Sequence, residues 1–181
     1  PKKFCLAILG QDIHTQQDAC EFFQSLYSQL EDSLKGKPQE GSLRLLSGTT
    51  EGDITCSNGH ISRKEEAFSS LGVDIKGRNS LIDALKSYVT GETIDNYACE
   101  QCKAEVPATK RNWVQTVGDT LVIQLKRFDY DLVRMMKRKL YNAVTFPQEL
   151  DLRPFCSQHS PLLTDGFKYE LSGIIVHVGV S

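Results

Sequence analysis

The 181-residue sequence predicts an α+β domain, helical early and strand-rich late, on three observations. Ala19, Phe22, Phe23, Leu26, Leu30 and Leu34 recur at the i+3/i+4 spacing of a helix with one apolar face. In residues 121–128, Leu121, Ile123 and Leu125 alternate with Val122, Gln124 and Lys126, the period of a strand with one buried face. Residues 169–178 keep that period with both faces apolar, as in a central strand.

Taken in order, residues 4–9 are apolar and expected to be buried, and Gly10 with Asp12 ends them. Thr15 is placed to cap the early helix, with Asp18 three positions on closing a capping box, and Gly36 and Pro38 stop it. Residues 36–42 read as a polar loop, and residues 43–46 and 53–56 as short strands around Gly48 and Gly52. Residues 67–75 read as a further extended run. Ser80 and Asp83 then repeat the capping logic for a short helix that uses Leu81, Leu85 and Tyr88 and ends near Gly91. A Cys-x-x-Cys turn follows, and residues 153–166, with two prolines and a glycine, read as a surface loop carrying Cys156.

A net charge of −2 argues against general polyanion binding, so nucleic acid is not expected as a partner. The basic cluster Arg134, Lys137, Arg138 and Lys139 reads as a solvated face. The longest apolar runs, residues 6–9 and 174–176, fall far short of the ~20 residues that span a bilayer, so no membrane partner is expected either. Six cysteines in this length are too sparse for a disulfide scaffold and indicate a reducing compartment. The chain opens on Pro1 and closes just after a run of strand character, which suggests a piece of something longer.

Cys99 and Cys102 carry the strongest chemical signal, because two thiolates three residues apart on a tight turn can grip one tetrahedral zinc ion. The other half of such a site would come from Cys56 and His60, with Gly59 easing the turn between them. Sulfur and imidazole together suit zinc better than magnesium or calcium. The alternatives are an empty site or a redox-active Cys-x-x-Cys, although the latter wants a strand–helix setting that is absent. Neither Cys5, Cys20 nor Cys156 stands in a convincing nucleophile setting. Carboxylates near Cys20 would raise its pKa, and His177 reads as a structural histidine.

A series of short motifs adds a further reading. TQQDACEFF at 15–23 resembles the Q-D-A-x-E-F signature of the ubiquitin-specific proteases, the papain-like cysteine deubiquitinases. GDITC at 52–56, with GHIS at 59–62 and EAF at 66–68, is similar to that family's first zinc half, and NYAC at 96–99 through Cys102 to its second. ATKR at 108–111, LVIQLKRF at 121–128, FP at 146–147 with LDL at 150–152, and YELSGIIVHVG at 169–179 follow in the family's order. The wording most resembles the large cytoplasmic members.

The resemblance implies a papain-like hand of thumb, fingers and palm, incomplete here. Residues 1–42 would end the thumb, 43–113 form the fingers and 114–181 supply palm strands. It further implies that the family's nucleophile and base boxes lie outside residues 1–181, so no residue here is catalytic. Cys20 matches a variable position and His177 a non-catalytic histidine. Gln17, Asp18 and Glu21 would contact the basic C-terminal tail of ubiquitin, since carboxylate–arginine pairs are strong charge-assisted bonds. The loop at 130–142 would sit near ubiquitin. The family usually has a second cysteine three residues after the one matching Cys56; this chain lacks it, so either His60 replaces it as a zinc ligand or the fingers have lost their metal.

The activity implied is thiol-dependent hydrolysis of the isopeptide bond after ubiquitin's C-terminal glycine, on ubiquitin or polyubiquitin conjugates, in the cytoplasm and also the nucleus. Two competing readings are a ubiquitin-binding scaffold that has lost the catalytic triad and a free-standing zinc-ribbon module at 43–113.

Overall fold

The computed structural model describes residues 2–9, 18–131, 134–165 and 167–176. Two helices open the chain, α1 (Lys2–Leu9) and α2 (Ala19–Leu34). They pack on each other through an edge-on contact of Phe4 with Phe22 and a hydrogen bond from Gln29 Nε2 to the Ile8 carbonyl. The expected burial of residues 4–9 does not hold: Phe4 is 52% exposed and α2 buries no residue fully. The reason is geometric, since among the described elements α2 is the one that packs extensively on α1.

Asp18, and not Thr15, caps α2; it is extended (φ −72°, ψ 127°) and its Oδ1 accepts from Cys20 N and Glu21 N. Thr15 lies outside the described residues. The strand expected at 43–46 is instead a 3-10 turn over Glu40–Leu46, in which Leu43 is buried and Leu45 exposed. Spacing by three, rather than two, is what these leucines report.

A four-stranded antiparallel sheet follows, in the order β2 (Ile61–Phe68), β1 (Gly48–Cys56), β5 (Ala104–Thr116) and β4 (Glu92–Cys99). The run expected at 67–75 divides between the end of β2 and β3 (Leu71–Asp74), which pairs in parallel with β6 (Ile123–Lys126). Helix α3 (Leu81–Thr90) begins as expected, with Ser80 Oγ accepting from Asp83 N at 3.0 Å, and ends at Gly91, whose φ is +91°.

The main core lies where α3 meets β3, β6 and the inner end of β5; Val73, Ile75, Leu85, Val114 and Leu152 are all fully buried there. Residues 153–165, the described part of the surface loop expected at 153–166, are not one. They hold a 3-10 turn (Arg153–Phe155) and a short helix α4 (Leu162–Asp165), and bury Phe155, Cys156, Ser157, Ser160 and Leu162. Ser157 Oγ donates to Gln115 Oε1 at 2.5 Å and Ser160 Oγ to the Gln115 carbonyl at 2.6 Å, so polar pairing with β5 draws the segment inward.

Of the strand expected at 169–178, residues 169–170 fall in β10 (Lys168–Glu170), paired with β9 (Glu149–Asp151), residues 171–176 are not in a strand, and residues 177–178 lie outside the described residues. Beyond Leu171, whose N–H bonds the Gln148 carbonyl, no described strand lies alongside, and Ile175 is 85% exposed. Alternation fixes which face a side chain takes, but a strand forms only where a neighbour pairs its backbone.

Candidate functional site

Both halves of the cysteine cluster are made by hairpin turns at the same end of the four-stranded sheet. β1 ends at Cys56, and the chain reverses through residues 57–60, with Gly59 N bonding the Cys56 carbonyl at 2.8 Å and Cys56 N the His60 carbonyl at 3.0 Å. Gly59 sits at φ +84°, a conformation a side chain resists. β4 ends at Cys99, and residues 100–103 reverse the chain into β5 with Lys103 N bonding the Cys99 carbonyl at 2.8 Å. Direct pairing of β1 with β5, Cys56 opposite Ala108, brings the two turns together.

The result is a compact group: one ligand atom each from Cys56, His60, Cys99 and Cys102 lies within 4.8 Å of the others. Cys56 Sγ stands 3.9 Å from Cys102 Sγ, and His60 Nδ1 stands 3.2 Å from Cys102 Sγ and 3.6 Å from Cys99 Sγ. A zinc tetrahedron with bonds of about 2.1 Å to nitrogen and 2.3 Å to sulfur has edges of roughly 3.6–3.8 Å. Donor chemistry and spacing therefore both fit a structural zinc ion held by three thiolates and the imidazole through Nδ1. The Cys102 backbone N–H, donated toward Cys99, holds that thiol below its ordinary pKa; the Asn58 amide pulls the Cys102 thiol the same way, but burial and the neighbouring Cys99 and Cys56 thiols outweigh it and leave that thiol raised. Behind the ligands, Ile54, Tyr97, Val106 and Ala108 form a small apolar cluster with Cys56 and Cys99.

The residues brought together are the four that the sequence pattern singles out. That pattern did not point to Asn58, whose side-chain amide donates to Cys102 Sγ at 3.2 Å. Its position between two ligands was the one available signal.

At the other candidate site, Asp18 and Glu21 are both exposed at the N-terminus of α2, where the helix dipole favours carboxylates. Cap formation engages Asp18 Oδ1, which leaves the role of its other oxygen to solvent or a ligand. Gln17 lies outside the described residues, as does His177. Burial, with the Asp18 charge behind it, pushes the Cys20 thiol up, and burial does the same to Cys156, whose Sγ donates to the Leu152 carbonyl at 3.2 Å. Neither is an activated nucleophile. Among the described residues, the cysteine–histidine contacts all fall within the four-ligand group, where three sulfurs surround one imidazole.

The basic cluster lies on a hairpin, β7 (Phe128–Asp131) with β8 (Met136–Lys139). Its base is fixed: Arg127 Nη1 donates to the Leu140 and Asn142 carbonyls, Asn142 Nδ2 donates to those of Ile75 and Arg78, and Lys76 pairs with Asp129 at 2.7 Å. Arg134 pairs with Asp131 at 3.7 Å, and Lys139 lies over the Tyr141 ring.

The family model described as ubiquitin carboxyl-terminal hydrolase matches residues 2–181. The chain belongs to that family. It is 36% identical over 193 residues to the probable ubiquitin carboxyl-terminal hydrolase FAF of Drosophila melanogaster, covering 95% of this chain and 7% of that protein. Against human ubiquitin carboxyl-terminal hydrolase 9Y it is 32% identical over 195 residues, covering 93% of this chain and 8% of the relative. The chain thus spans under a tenth of the length of these relatives. Among solved structures, the SAGA deubiquitinating module containing a Ubp8 variant, bound to monoubiquitin, superposes with a TM-score of 0.79 at 29% identity, over 97% of this chain and 41% of that one. The SAGA module bound to ubiquitin aldehyde gives 0.78 at 27% identity, over 97% of this chain and 42% of that one. The papain-like deubiquitinase fold expected from the motifs is therefore the fold of this ubiquitin carboxyl-terminal hydrolase segment.

Proposed function

We propose that this segment holds ubiquitin for a thiol-dependent deubiquitinase, whose nucleophile and base lie outside residues 1–181. The observation that carries the reading is the superposition of 97% of the chain on a deubiquitinating enzyme structure bound to monoubiquitin. In this reading residues 43–113 are fingers that grip the globular body of ubiquitin or of a polyubiquitin conjugate, and residues 114–181 are palm. Asp18 and Glu21, with Gln17, meet the basic tail; the exposure of the two carboxylates at a helix N-terminus and the spare Asp18 oxygen support that role. The β7–β8 hairpin faces ubiquitin from a base braced by Arg127 and Asn142. Attack by a cysteine thiolate on the isopeptide carbonyl after ubiquitin's C-terminal glycine is the chemistry the segment would serve. Six free thiols support a reducing, cytoplasmic setting, with the nucleus included.

The test is an assay of the full-length protein with ubiquitin carrying a C-terminal fluorogenic amide. Cleavage abolished by a thiol alkylator supports the reading. Absence of cleavage with ubiquitin still captured sinks the catalytic half of it and leaves a binding scaffold; loss of both sinks it entirely.

A further inference from the structure

We propose that Asn58 is a positioning residue of the metal centre: its amide fixes the Cys102 thiolate for metal binding and, with His60, makes good the missing fourth cysteine. The inference rests on the reading of Cys56, His60, Cys99 and Cys102 as zinc ligands.

Three observations carry it. Cys56 and Cys99 are buried, at 3% and 5% exposure, whereas Cys102 is only partly buried, so it is the most open to water of the three cysteine ligands. Asn58 Nδ2 donates to that same sulfur, at 3.2 Å. The loop that carries Asn58 is itself pinned, by Ser57 N to the Pro107 carbonyl at 2.7 Å and by the Gly59 turn, so the backbone that presents this exposed amide is fixed. Three thiolates and one neutral imidazole around a divalent ion leave a net charge of −1. A donor aimed at the most exposed thiolate disperses that charge and holds the sulfur oriented; partners of this kind, removed from metal sites, typically cost about 10–100-fold in affinity.

The experiment uses the full-length protein loaded with zinc. Its readouts are the rate of zinc transfer to excess chelator, followed with a chromogenic indicator, and the thiolate-to-metal charge-transfer band after cobalt substitution. Asn58→Ala removes the donor; Asn58→Asp keeps shape and turn preference while replacing the donor with a carboxylate; Ser57→Ala is the loop control. Zinc release at least about tenfold faster in Asn58→Ala, faster again in Asn58→Asp, and a band moved to lower energy with Ser57→Ala unchanged is the result expected. Release within about twofold of the unsubstituted protein in Asn58→Ala, with the band unmoved, overturns the proposal; that variant decides alone should Asn58→Asp fail to fold. Should the unsubstituted protein itself carry under about one zinc per ten chains, the ligand reading falls and this inference with it.

Discussion

The two ends of β1 and β5 sit in different kinds of core. At the inner end, Val114 is fully buried among Val73, Ile75, Leu85 and Leu152, and helix α3 closes the layer. At the outer end, the buried residues are Cys56, Cys99 and Ala108, and the next β2 positions, Ile61 to Ala67, are all exposed. Hydrocarbon packing can secure the first region. It is sparser in the second, where the sulfur and imidazole groups are placed to add metal coordination to the small apolar cluster. One sheet therefore joins a region stabilised by burial to a region whose ligand set fits coordination.

That contrast orders the expected effects. Leu85→Ala, at zero exposure in the inner core, is expected to lower global stability by about 2–5 kcal/mol in urea unfolding; a smaller loss in the midpoint than Cys99→Ser produces would overturn the assignment of the principal core. Chelation of zinc is expected to speed amide exchange in the two turns, residues 56–60 and 99–103, by at least about 100-fold, while Val73 and Leu85 change little; uniform acceleration through both regions would merge the two cores into one. Asp18→Ala with Glu21→Ala acts outside both. It is expected to lower kcat/KM for ubiquitin cleavage by the full-length enzyme more than about tenfold, while the lost cap costs only about 1 kcal/mol in α2; an unchanged kcat/KM would remove the tail-contact role.

The smallest effect concerns pH. Hydrogen bonding by Arg153 holds the Asp151 carboxyl down to about 2, below its ordinary 3.8. A depressed carboxylate pKa contributes stability that is present above the unfolded value and lost as pH falls through the folded one, so this pair should fade between about pH 4 and 2. Arg153→Met should flatten that part of the stability profile, lowering stability slightly above about pH 4 and leaving it unmoved below about pH 2, the small size being that of a partly exposed pair.

The metal group was legible because ligand identity and turn spacing are local: Cys56 with His60, and Cys99 with Cys102, each lie on one hairpin turn. Helices α2 and α3 were legible for a similar reason, since capping and i+3/i+4 spacing are short-range. Strands β2, β4 and β5 were not. β2 carries arginine, lysine and glutamate on an exposed sheet edge, and β5 has no alternation of buried and exposed positions, because its partners on both sides are set by the sheet and not by its own side chains. Cys156 and its neighbours misled in the opposite sense: polar and proline-rich residues read as surface, yet Gln115 on β5 supplies the partners that let Ser157 and Ser160 be buried.

By itself, the sequence determined the Ser80 cap of α3, the four candidate ligands and the ordered motifs that mark the family, since each depends on residues close together along the chain. Tertiary structure alone decided that the two ligand pairs meet, that residues 153–165 enter the core, and that residues 171–176 remain without a described strand partner. Those outcomes depend on which backbone lies beside which across tens of residues, and hydrogen-bond pairing between strands leaves no periodic trace in a side-chain pattern.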